Sequence, residues 1–189
     1  MASSLRPGFH LYPGMRVGLF GGSFNPAHEG HAHVADAARK ALGLQKVIWL
    51  VSPQNPLKNA RETAALAHRT DQTRRIAQGP SNIVTDLESR LRSPYTTHTL
   101  RWLTRRYPGV HFVWIMGSDN LFGLHRWRAW RDIPRQIDSA IVPRPGAGAR
   151  AQLAAGGRYL HHSGRTRFLE TRLHDASSTA LRLRAMGQG

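Results

Sequence analysis

The chain has 189 residues, enough for one α/β domain with a buried core, and its 27 Lys and Arg against 11 Asp and Glu give a formal charge of +16. It has no cysteine, which excludes disulfides, thiolate metal sites and a cysteine nucleophile and fits a cytoplasmic protein. No apolar run is long enough to span a bilayer, and the opening MASSLRPGFHLYPG lacks the apolar centre of a signal peptide.

Residues 1–14 read as a flexible N-terminal extension, followed by one domain over 15–189. Short β-rich runs then alternate with longer helical ones, the pattern of βαβ units around a parallel sheet. Strands are expected at Val17 to Phe20, Val47 to Val51, Ile83 to Leu87, Val110 to Met116, Ser139 to Val142 and, more briefly, Arg167 to Glu170. Helices are expected at Gly30 to Leu42, Glu62 to Gln78 and Thr97 to Tyr107, each stopped by glycine or proline, with a short one at Ala149 to Ala155. The expected fold is a single-domain, doubly wound, Rossmann-like parallel α/β sheet. In such sheets ligands bind beyond the carboxyl ends of the strands, and the motifs below follow strands or open helices.

The first motif is GGSFNPAHEGH, Gly21 to His31, between the first strand and the first helix. Glycines there let the backbone turn and approach a ligand, and the N–H groups of a first helical turn attract anions, so a nucleotide phosphate is the natural guest. His28 and His31, spaced i, i+3, share one face of the starting helix. Neither GxxxxGK[ST] nor GxGxxG is present. Read alone, the stretch is equally an ordinary turn, and a metal-ligand role for the histidines lacks carboxylate or cysteine partners at supporting spacing.

Gln54 to Lys58 follows the second strand, where Lys58 by itself reads as a solvated loop lysine. SPYTTHTL opens the third long helix, and GSDNLFGLHRW follows the strand at Val110 to Met116. Asp119 in the latter suits two ribose hydroxyls or a helix N-cap. Near the end SSTALR, Ser177 to Arg182, reads by itself only as an N-cap before an apolar run. Arginines such as Arg69, Arg74, Arg75, Arg101 and Arg105 are spread along predicted helices, which reads as a solvated face rather than a nucleic-acid surface.

Together these motifs resemble the nucleotidyltransferases of the HxGH superfamily, and within it the bacterial nicotinate-nucleotide adenylyltransferases, over nearly the whole chain. The resemblance implies catalytic roles for His28 and His31 and ATP binding by Gly21, Gly22, Ser23, His28, His31, Lys58, Ser178, Thr179 and Arg182. It places nicotinate mononucleotide at Tyr95, Thr96, Gly117, Asp119 and Trp127, with the Trp127 ring stacked on the pyridine. Trp130 is then either a second platform or core. Mg²⁺ is expected to arrive on ATP with no protein ligand. Asn25 stands where the family commonly has Asp, which keeps the turn-forming hydrogen bonds and removes an acid. Arg128 stands where relatives often carry an aromatic, and a positive neighbour favours a carboxylated ring.

The implied partners are ATP and nicotinate mononucleotide, with no stable nucleic-acid partner, no membrane, and an oligomer left open. Two rivals stand beside this reading. One is another HxGH enzyme with nicotinamide mononucleotide or phosphopantetheine as acceptor, and the other is a basic nucleic-acid-binding module that would account for the charge.

Overall fold

The computed structural model describes residues 5–53, 64–93 and 95–171. Six parallel strands form the sheet: β1 (Arg16–Gly22), β2 (Lys46–Val51), β3 (Asn82–Thr85), β4 (His111–Gly117), β5 (Asp138–Val142) and β6 (Thr166–Phe168). The order is β3-β2-β1-β4-β5-β6, so the winding reverses between β1 and β4. That is the arrangement in which a ligand crevice opens at the carboxyl ends of the two central strands.

The strands read as continuous apolar runs because both faces of the sheet are covered. Val17, Leu19, Ile48, Leu50, Phe112, Trp114 and Met116 join one core cluster, and Phe20, Val47, Trp49, Val51, Val113 and Ile115 join the other, as the period of two requires. Helices α1 (Glu29–Leu42) and α2 (Leu66–Ile76) supply the second cluster through Val34, Ala35, Ala38, Leu42 and Leu66. The other face receives α3 (Leu87–Arg90), α4 (Thr96–Arg106), α5 (Ile133–Gln136), α6 (Gly148–Leu153) and α7 (Ala155–His162), including Leu87, Leu100, Leu103, Ile133, Ala151 and Leu160. Among the described residues no helix is long and apolar enough to cross a membrane.

Several local expectations shift. The third strand ends at Thr85 rather than Leu87, because Leu87 turns inward to open α3 and is fully buried. The helix expected at Ala149 to Ala155 is two helices, α6 and α7, broken at Ala154, whose ψ of 157° is extended. A Cβ on Gly157 would meet the backbone of Gln152, which accounts for a glycine where the two segments press together.

Residues 5–14, read from the sequence as part of a flexible extension, pack onto the domain. Phe9 and Leu11 are buried in the first cluster, and the Tyr107 hydroxyl donates to the Phe9 carbonyl at 2.8 Å. Arg90 donates to the carbonyls of Arg6 and Pro7 at 2.8 and 3.1 Å.

Candidate active site

β1 and β4 are neighbours, paired up to Phe20 with Ile115, so the chain leaves them side by side at the reversal point. From β1 emerges the turn holding Ser23, His28 and His31. From β4 emerges Gly117 followed by a 3₁₀ turn over Ser118–Phe122 that carries Asp119.

Gly21 and Gly22 belong to β1 itself and neither has a positive φ, so they do not make the turn by conformational freedom. Their role is clearance. A Cβ on Gly21 would run into the Trp114 ring, and one on Gly22 would lie 3.1 Å from the Phe24 ring. The reversal is made instead by Phe24, at φ 44°, followed by the cis Asn25–Pro26 bond. Burial of Phe24 against Phe20 and Trp49, with ring centroids 5.4 Å away in both cases, holds that uncommon conformation in place.

His28 is the N-cap of α1 and His31 the third residue of its first turn. The rings lie 3.9 Å apart between centroids, and the His28 backbone N–H donates to His31 Nδ1 at 3.2 Å. An accepting Nδ1 puts the proton of the neutral His31 ring on Nε2. His28 is buried and His31 half-buried, edge-on to Phe24 at 5.0 Å, so both rings are held by packing. Asn25 Oδ1 accepts from the Ala64 N–H at 3.4 Å, a long-range tie to the residues before α2 that an amide serves without charge.

On the acceptor side Tyr95 is the exposed N-cap of α4, with Thr96 opening the helix. The Arg128 guanidinium lies 4.9 Å from the Tyr95 ring centroid, and its Nη1 reaches the Tyr95 hydroxyl at 3.4 Å. Trp127, the residue before Arg128, is half-buried against the first core cluster. Trp130 is buried edge-on against Tyr159 at 4.8 Å and belongs to the core. Asp119 is exposed within its 3₁₀ turn, whose N-cap is Gly117, so Asp119 is not a helix cap. Lys58, Ser178, Thr179 and Arg182 lie outside the described residues.

Three residues that sequence reasoning did not single out as functional join the site. Arg69, counted among solvated arginines, is fully buried. Its guanidinium donates to the carbonyls of Ala64, Ser23, Ser52 and Pro53 at 2.8, 2.6, 2.8 and 2.7 Å. Burial lowers its pKa from the ordinary guanidinium value, yet an arginine so placed keeps its charge and is compensated by those carbonyl dipoles.

Arg144, just beyond β5, reaches the Gly30 carbonyl of α1 at 3.1 Å, and its N–H donates to Ser118 Oγ at 2.9 Å. Its stem covers Gly117, where a Cβ would sit 3.0 Å from Arg144 Cγ. The first turn of α1 and the turn after β4 are thereby tied to one residue, the first by its guanidinium and the second by its backbone N–H. Its only signal in the sequence is its place at the carboxyl end of a strand.

The third is Glu88 of α3, buried with its pKa raised by desolvation, its Oε1 accepting from the Thr99 hydroxyl at 3.5 Å. Charge at such a carboxyl is disfavoured, and the neutral acid is the form that burial selects.

Comparisons with known proteins agree with this geometry. The cytidylyltransferase-like family model matches residues 19–184. A Caulobacter sp. (strain K31) protein named "Probable nicotinate-nucleotide adenylyltransferase" is 58% identical over 149 residues, 79% of each chain. A protein of the same name from Parvibaculum lavamentivorans is 50% identical over 144 residues, 76% of this chain and 72% of that one. In fold, the chain superposes on Plasmodium falciparum nicotinic acid mononucleotide adenylyltransferase complexed with NaAD with a TM-score of 0.74 at 17% identity, covering 89% of this chain and 83% of that one. The chain belongs to the cytidylyltransferase-like family, in its nicotinate-nucleotide adenylyltransferase branch.

Proposed function

We propose that the protein transfers the adenylyl group of ATP to nicotinate mononucleotide, giving nicotinate adenine dinucleotide and pyrophosphate, a step of NAD biosynthesis. The observation that carries this reading is the side-by-side emergence of the His28–His31 turn and the Gly117–Asp119 turn at the reversal point of the sheet. One turn suits a triphosphate and the other a ribose phosphate, and the names of the relatives supply the acceptor's identity.

The acceptor phosphate oxygen attacks the α-phosphorus of ATP in line, forming one P–O bond as the bond to pyrophosphate breaks. Charge builds on the non-bridging oxygens, and preorganised donors aimed there lower the barrier. His31 Nε2–H and the His28 ring serve as such donors, while the first turn of α1 adds backbone N–H groups. Asn25 brings no carboxylate to its place in the turn, and the histidines are assigned the stabilisation of charge. Lys58, Ser178, Thr179 and Arg182 are assigned to the outer phosphates, and Mg²⁺ enters on the triphosphate, held by phosphate oxygens and water.

Asp119 accepts from the ribose hydroxyls, Tyr95 and Thr96 border the ring, and the Trp127 face stacks on it. The Arg128 charge over Tyr95 favours nicotinate over nicotinamide. The cytoplasm is the compartment this reading assigns, with no stable nucleic-acid partner and with self-association compatible. Family membership supports the transferase reading over the nucleic-acid-binding rival. Incubating the chain with ATP, Mg²⁺ and each mononucleotide in turn, while following dinucleotide and pyrophosphate, tests the assignment. Turnover with the nicotinate form well above the nicotinamide form is expected; equal use of both overturns the acid preference, and turnover of neither overturns the reaction.

A further inference from the structure

The hydrogen-bond ladder between β1 and β2 pairs Gly22 with Val51 and closes on the Ser52 N–H, which donates to the Gly22 carbonyl at 2.9 Å. Beyond that point the strand pairing stops. The next carbonyls, those of Ser23 and Ser52, are held by one atom, Arg69 Nη1, at 2.6 and 2.8 Å. Arg69 Nη2 donates to the Pro53 carbonyl at 2.7 Å, and its Nε to the Ala64 carbonyl at 2.8 Å. The guanidinium thus directs four of its five N–H groups at three separate stretches of backbone.

Leu66 and Ile76 pack on the second core cluster at the two ends of α2, while the buried residues of the helix are Arg69, Thr70 and Thr73. Thr70 and Thr73 donate to the Leu66 and Arg69 carbonyls of their own helix at 2.8 and 2.7 Å. Arg69 is therefore the buried polar side chain of α2 that reaches the strand ends. A fully buried guanidinium is costly unless satisfied, and one satisfied by carbonyls fixes where those carbonyls lie. Apolar packing alone would attach α2 without that direction.

The consequence falls on the Ser23 peptide. Its held carbonyl fixes the plane of the peptide group that leads into Phe24, at φ 44°, and so sets the course of the turn toward His28 and His31. Donors aimed at the charge on an α-phosphate act through their placement, and a displacement of about 1 Å can cost on the order of a hundredfold in rate. We propose that Arg69 is a positioning residue for the transfer reaction: its forked guanidinium sets the exit of the turn that carries His28 and His31, and it acts by geometry rather than by charge. The inference rests on the reaction proposed above. Arg69 touches neither substrate in this account.

The test compares Arg69→Lys, Arg69→Met and Leu42→Ala with the unaltered chain, using ATP, Mg²⁺ and nicotinate mononucleotide. Steady-state kcat and both KM values are measured at a temperature where circular dichroism shows each variant folded, beside Tm. Lys keeps the charge on one nitrogen, which cannot span carbonyls bonded by Nε, Nη1 and Nη2. Arg69→Lys is therefore expected to lower kcat by at least about tenfold with each KM within about threefold, the pattern of an interaction realised in the transition state. Arg69→Met should lose at least as much. Leu42→Ala opens a gap in the core at the far end of α1 from the histidines, so it lowers Tm while kcat stays within about twofold.

A kcat within about twofold of the unaltered chain in Arg69→Lys overturns the proposal, whether Arg69→Met is active, which makes the residue structural only, or inactive, which makes its charge the agent. So does a rise in KM for ATP that matches the fall in rate, or a fall of kcat in Leu42→Ala in step with its Tm. Failure of both Arg69 variants to fold overturns it too, since Arg69 then supports the whole domain rather than one turn. Absence of turnover in the unaltered chain refutes the reaction and this inference together; normal turnover with insensitive variants refutes the inference alone.

Discussion

Between Gly21 and His31 one unbroken stretch supplies every candidate ATP contact found among the described residues, whereas Tyr95, Thr96, Gly117, Asp119 and Trp127 reach the acceptor side from three separate segments. The first region is locked from within: Phe24 buried at positive φ, His31 bonded to the His28 N–H, and the Ser23 carbonyl clamped by Arg69. In the second, Tyr95 and Asp119 are exposed, and an exposed Arg128 contacts Tyr95 at the start of α4. A charge-bearing reaction centre gains from donors that need no reorganisation, while an acceptor pocket gains from side chains that close on a flat ring as it arrives. The difference assigns rate to the first region and acceptor affinity to the second, and each assignment can be broken by substitution.

The largest effect is expected from His31→Ala. Removal of one preorganised donor to a developing negative charge costs roughly 10²–10³ in kcat. Because Nδ1 of His31 also accepts from the His28 N–H, the substitution loosens the first turn of α1 as well. Single-turnover rates at saturating ATP measure it, and a loss confined to KM would move His31 from rate to affinity. Next is Gly21→Val, whose Cβ would collide with the Trp114 ring, itself almost wholly buried and unable to swing away. Overpacking of this kind costs about 1–3 kcal/mol, read as a lowered Tm. An unchanged Tm would return the glycine to a purely ligand-facing role.

How much of each region was legible follows the same division. The histidine pair, the β1 run and the α1 boundary are encoded in adjacent residues, and the expected and observed elements agree within a residue or two at Gly30 to Leu42 against Glu29–Leu42. The reason for the glycines was not legible, since their partners Trp114 and Phe24 come from another strand and from the turn itself. Arg69 was read as solvated because a charged residue on a polar helix ordinarily is; its burial is set by carbonyls at Ser23, Ser52 and Pro53, distant in sequence and invisible to any local pattern. The 3₁₀ turns at Leu124–Arg126 and Trp130–Asp132 are too short to show a period, so the way Arg128 approaches Tyr95 appears only in three dimensions.

A smaller effect tests the acceptor region. Trp127→Ala removes a half-buried ring packed against the first core cluster, the ring proposed above to stack on the pyridine. Loss of one aromatic platform is worth about 1–3 kcal/mol by analogy with base stacking, which predicts a rise in KM for the mononucleotide of roughly tenfold with KM for ATP little moved. A matching fall in kcat would show that the acceptor region also sets the geometry of the reacting complex. Trp130→Phe serves as a contrast, since Trp130 packs on Tyr159 in the core and should alter Tm rather than KM.

The smallest effect concerns the buried carboxyl of α3, which accepts from Thr99 of α4. Burial raises the pKa of Glu88 above its ordinary value of 4.5. As pH climbs from there, the unfolded chain releases this proton while the native state still holds it, so the native state binds more protons and loses stability until the raised pKa is passed. Below 4.5 both states are protonated and the penalty vanishes. Glu88→Gln keeps the shape and cannot ionise. Its Tm relative to the unaltered chain should therefore increase from acid toward neutral pH, by about a few degrees for a domain of this size. A difference that stays flat with pH would mean that the carboxyl ionises freely where it sits, with water or a cation reaching it.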